Sequence, residues 1–137
     1  MQIALKVDVD TYRGTLEGVP ALTVLAARLP GVRIAPLVLL DEVWREPLVD
    51  DAAFDTIAPG LRDAELVLVC ADPHSFDLDR MLARVQRHAP GVRIVGGMAS
   101  AGVHPGQDRV FLNDWVSDTG GFALAFHGAI RADVVVS

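Results

Sequence analysis

One cysteine, one lysine and no long apolar run set the first limits on this chain of 137 residues. The single thiol, Cys70, excludes an intramolecular disulfide, and its place inside the apolar run 66–71 reads as a small buried hydrophobe. Lys6 is the only lysine and the formal charge is −6, so no basic cluster is available to neutralise phosphates. Nucleic-acid binding is therefore not expected. Aromatic residues make up 6% against 51% hydrophobic residues, which makes the core aliphatic. No apolar stretch approaches the ~20 residues that a membrane-spanning helix needs. The longest, Ile34–Leu40, is strand-sized and interrupted by Pro36. The first residues alternate like a strand and carry charge by residue 10, unlike a secretory signal. These absences lead to the expectation of a cytoplasmic protein with no membrane span.

What is present reads as a single α/β domain over 1–137: a mixed sheet with early parallel βαβ units and antiparallel hairpins towards the C-terminus. Residues 2–9 alternate Ile3, Leu5, Val7 and Val9 with polar or small residues, the mark of a strand. The segment 19–29 fits a helical stripe through Val19, Leu22, Leu25 and Leu29, and also fits a strand. A crossover helix is favoured because the segment joins two strands. A buried strand is expected at 32–40 and another at 65–71. Between them lies an acidic, irregular stretch with one short helix near 52–57.

Asp72-Pro73-His74-Ser75 reads as a turn. Phe76–His88 then reads as a helix with Leu78, Met81, Leu82 and Val85 on one face, capped by Ser75. Pro90-Gly91 ends it ahead of a strand at 92–95, completing a βαβ unit. Short strands follow at 109–112, 115–116, 121–126 and 129–136, with His127-Gly128 as the turn of a final hairpin. Pro-Gly-Val-Arg-Ile occurs at 30–34 and again at 90–94, which points to reuse of one turn chemistry. The apolar end at Val136-Ser137 raises the expectation of a truncated or recombined product whose open sheet edges favour self-association.

Several residue groups carry candidate chemistry. Asp8 and Asp10 lie two apart on a strand and so share one face, as a metal site or a general base requires. The alternative is that they are strand-end polar residues, exposed to solvent or capping a loop. Asp72 and His74 follow a strand, where open α/β sheets bind ligands. Gly96 and Gly97 allow close backbone approach to a ligand or to another strand. Ser100 sits in Met-Ala-Ser-Ala-Gly, which is half of a nucleophile elbow without its first glycine. Trp44 and Trp115 read as packing residues.

Two resemblances organise these pieces. The opening MQIALKVDVDTYRGT resembles the formamido-arabinose deformylases of the polysaccharide deacetylase family. That resemblance implies Asp8 as general base and Asp10 as ligand of a divalent metal such as zinc. The paired histidines of that family are missing, since His74, His88, His104 and His127 lie far apart. From about residue 20 the chain resembles the N-terminal part of a FIST domain, with 23–137 as the FIST-like region. The resemblance is carried by Ala71-Asp72-Pro73-His74-Ser75-Phe76, Val95-Gly96-Gly97-Met98-Ala99-Ser100-Ala101-Gly102, Arg109–Asp114 and the final IRADVVVS. It implies a non-catalytic sensory module without a cofactor, which binds a small molecule such as an amino acid and acts on signalling partner domains. Asp72, Gly96, Gly97, Ser100 and Asn113 are the ligand-binding candidates within these segments. The deacetylase-like segment is expected to end near residue 22, making the chain a chimera.

Overall fold

The structure, a computed structural model, describes residues 26–47, 50–99 and 102–133. Its centre is the strand read most clearly from the sequence. Leu66–Ala71 (β2) is an unbroken apolar run between two neighbouring strands, buried at Val67, Val69 and Ala71 but only half-buried at Leu66, Leu68 and Cys70 rather than throughout as expected. It pairs in parallel with Arg93–Met98 (β3) and antiparallel with Gly121–Gly128 (β6). The outer side of β6 pairs antiparallel with Val32–Leu39 (β1), giving the order β1-β6-β2-β3. A separate two-stranded ribbon is formed by Val110–Leu112 (β4) and Trp115–Ser117 (β5).

Leu78–His88 (α3) connects β2 to β3 as the crossover of a βαβ unit. Its N-cap is Asp77, whose side chain accepts the Arg80 N–H at 2.9 Å. Ser75, the cap expected from the sequence, instead commits its hydroxyl to the turn before the helix. Two shorter helices, Asp41–Arg45 (α1) and Asp51–Ile57 (α2), occupy the acidic stretch. The second matches the expected short helix; the first has too few residues to display a period.

One core holds the helices to the sheet. Trp44, Phe54, Met81 and Val85 from the helices meet Leu39, Val67, Val69, Ala123 and Ala125 from the strands. Trp44 and Phe54 lie edge to face, with centroids 6.2 Å apart. The packing role expected for Trp44 is thus observed.

Four expectations are corrected. Val32–Leu39 is an edge strand among the described residues and is half exposed rather than buried, with Ile34 44% accessible. Pro36 suits that place because it has no N–H to offer a second neighbour. His127 and Gly128 belong to β6 and do not form a hairpin turn. No strand is present over 129–133, and 134–137 lie outside the described residues. Residues 26–29 are irregular, while the rest of the ambiguous segment 19–29 is not described. The strand expected at 2–9 also lies outside the described residues.

The repeated pentapeptide closes a turn at both places, but not the same turn, since Gly31 has φ 77 while Gly91 lies outside the left-handed region. Val32 N–H donates to the Leu29 carbonyl at 3.2 Å, and Val92 N–H donates to the Ala89 carbonyl at 3.1 Å. Each turn places proline second and glycine third and leads into an outer strand.

Candidate functional site

β2 and β3 run parallel, so both deliver their carboxyl ends to the same edge of the sheet. That is where open α/β sheets leave a crevice for ligands. Here the crevice is a cleft of about 640 Å³, lined by Asp41 and Arg45 of α1, residues 73–77 of the turn, Leu78, Asp79 and Arg80 of α3, and Met98 of β3. Its volume lies within the ordinary range for small-molecule sites.

One wall is an ion-pair cluster. Asp41 bonds Arg45 at 2.5 Å, lies 3.5 Å from Arg80 and accepts the Asp77 N–H at 3.2 Å. Asp77 pairs in turn with Arg80 at 2.7 Å. Partial burial pulls the Asp41 carboxyl upward, but the Asp77 N–H and the two guanidinium groups outweigh it and hold the group below its ordinary value. Asp79, also in the first turn of α3, lies on the rim of the cleft.

The opposite wall is the turn after β2, which Asp72 organises from beneath. Asp72 is 2% exposed, and its carboxylate accepts the Ser75 hydroxyl and, at 3.4 Å, the His74 N–H. The Asp72 N–H donates to the Gly120 carbonyl, and the Ser75 oxygen accepts the Gly120 N–H, both at 2.8 Å. Asp72 therefore shapes the cleft without lining it. His74 does line it, with Nε2 donating to the Gly102 carbonyl at 3.3 Å. The two residues expected as a polar pair are joined through backbone rather than through the imidazole.

The other expected residues are spread apart. Gly96 lies within β3, where a Cβ would stand 1.9 Å from the Val69 carbonyl oxygen at φ +153. Its glycine is required by the neighbouring strand. Gly97, next to it, faces open space, with no atom within 4 Å of where a Cβ would stand, so packing makes no such demand there. Asn113 is in the two-residue turn of the β4–β5 ribbon with φ 52, a conformation that asparagine tolerates well. Ser100, Asp8 and Asp10 lie outside the described residues. Among the described residues no three His, Cys, Asp or Glu side chains gather as metal ligands. Cys70 is half buried, and desolvation raises its pKa, as for an inert thiol.

Sequence reasoning missed Asp41, Arg45, Asp77, Asp79 and Arg80. The Asp77–Arg80 pair had a signal, an acid three residues before a base at a helix start. Asp41 had none, because it reaches Asp77 across 36 positions of chain.

The geometry meets its family at this point. The FIST N domain profile matches residues 11–137. The chain belongs to the FIST N domain family. FIST domains are sensory domains of signal transduction. The FIST match begins at Thr11 and takes in residues assigned above to a deacetylase-like segment, a resemblance that finds no support. No curated protein and no solved structure matches the chain. Among the described residues of this FIST N domain, no helix is long and apolar enough to cross a membrane.

Proposed function

We propose that this FIST N domain senses a small zwitterion, with free amino acids as the ligand class, and reports occupancy to signalling partner domains without catalysing a reaction. The observation that carries this reading is the charge layout of the cleft. It places Asp41, Asp77 and Asp79 together with Arg45 and Arg80 in about 640 Å³. A zwitterion requires groups of both signs within a few ångströms, and a cleft of this kind supplies them. The Asp79 carboxylate on the rim suits an ammonium group, and a guanidinium edge suits a carboxylate.

The polar network beneath supports binding over catalysis. The Ser75 hydroxyl, which lines the cleft, is committed to the buried Asp72 and to the Gly120 N–H. The reading needs no metal or cofactor, and the net charge of −6 fits a partner other than nucleic acid. A cytoplasmic location, where free amino acids are abundant, completes it. Among the described residues β1 and β3 are the outer strands, and association of two copies along such an edge is part of the proposal.

A thermal-shift panel of amino acids, their amides and their decarboxylated amines tests the proposal. A ligand at one hundred times its Kd raises stability by about 2.7 kcal/mol through mass action. At least one intact amino acid is expected to raise the melting temperature, and Asp79→Asn should weaken that response. A flat response across the panel from a folded protein would sink the reading.

A further inference from the structure

The turn that lines the cleft is tied to both roots of the β4–β5 ribbon. At the first root, His74 Nε2 donates to the Gly102 carbonyl at 3.3 Å, and the Gly102 N–H donates to Asp108 Oδ1 at 2.9 Å. Asp108 is 9% exposed and stands two residues before β4. The loop between them is held as a unit, because Gln107 Oε1 accepts the Val103 and His104 N–H groups at 2.8 and 3.2 Å. At the second root, the Gly120 N–H donates to Ser75 Oγ at 2.8 Å, three residues after β5 ends. Ser117 and Thr119 close that connection, with the Thr119 N–H donating to Ser117 Oγ at 3.1 Å. His74 and Ser75 are neighbours in sequence, and both line the cleft.

We propose that His74 and Ser75 are positioning residues that transmit occupancy of the cleft to the β4–β5 ribbon. Among the described residues, the ribbon meets the main sheet chiefly where β4 faces β6, and these two ties join it to the turn that lines the cleft. A group that enters the cleft and shifts the turn must strain or release one of them. The ribbon then moves with its exposed Phe111–Val116 cross-strand pair. This inference rests on the cleft being the sensory site, but its test needs no ligand.

In a Cys70→Ala background, Asp79→Cys places a thiol at the cleft, and a bulky maleimide adduct there imitates occupancy. Two readouts follow the ribbon: amide exchange over 110–117 and acrylamide quenching of tryptophan. Trp44 is 1% exposed, so quenching reports Trp115 on β5. The adduct is expected to change ribbon exchange by about fivefold, the low end of ordinary coupling between sites. The response should disappear when His74→Ala and Ser75→Ala are added. An adduct that leaves the ribbon unchanged overturns the proposal, as does an equal response in the doubly substituted protein. If that protein fails to fold, His74→Ala and Ser75→Ala are tested singly, and a response undiminished in both overturns the proposal; the His74 ring is exposed, so its loss leaves the core intact. A flat amino-acid panel with a responding ribbon would reject the ligand class and keep the coupling.

Discussion

The two faces of the main sheet are both apolar, yet they are built from side chains of different size. On the helix-covered face the cross-strand rows read Ala35, Ala125, Val67, Ile94, then Leu37, Ala123, Val69, Gly96, then Leu39, Gly121, Ala71, Met98. On the other face they read Ile34, Phe126, Leu66, Arg93, then Pro36, Leu124, Leu68, Val95, then Val38, Phe122, Cys70, Gly97. Over Gly121–Phe126, β6 makes the contrast plainest, alternating glycine and alanine inward with Phe122, Leu124 and Phe126 outward. Small residues let α1–α3 approach the strands, and the bulk of that core comes from helix residues such as Trp44 and Phe54. The sidedness of this sheet is thus a matter of volume more than of polarity.

The comparison can be broken most severely at Gly96. Gly96→Val drives Cβ into the Val69 carbonyl and is expected to cost about 4 kcal/mol or more, with loss of the folded state by circular dichroism. Phe54→Ala empties the helix-side core and should cost about 3–5 kcal/mol in urea unfolding. Leu124→Ala on the half-buried outer face should cost roughly 1–2 kcal/mol. Equal losses at these two positions would mean that the outer face is enclosed as fully as the inner one.

Acid should loosen the helix layer, because Asp41 joins α1 to α3 through Arg80 and the Asp77 N–H. Its pKa is lower folded than unfolded, so its contribution is complete above the ordinary carboxylate range near pH 4. That contribution is lost as pH falls through the lowered folded value, and Asp41→Asn should flatten this part of a stability–pH profile. The smallest effect is expected at Phe111, which is 62% exposed on the ribbon. Phe111→Ser should change stability by no more than about 0.5 kcal/mol.

Much of this arrangement is legible in the sequence, but unevenly. The unit of β2, α3 and β3 is readable because an apolar run, a helical stripe and a Pro-Gly stop follow one another within 33 residues. The extent of β6 is not. Its run Gly121–Gly128 is apolar on both sides, so periodicity cannot assign a face, and His127-Gly128 imitates a turn. The cleft is half legible, since Asp72-Pro73-His74-Ser75 announces a turn at a strand end. The charged wall opposite it gives no sign, because Asp41 and Arg45 enter from a helix of five residues.

The sequence by itself determined the local geometry: the two Pro-Gly turns, the apolar run of β2, the stripe of α3 and the family segments of the FIST N domain. Each depends on residues within a few positions of one another. Only the tertiary structure decided that β6 inserts between β1 and β2, and that Asp41 meets Asp77 and Arg80. Those outcomes depend on which volumes fit together and which charges meet across distant segments, and no local period records either.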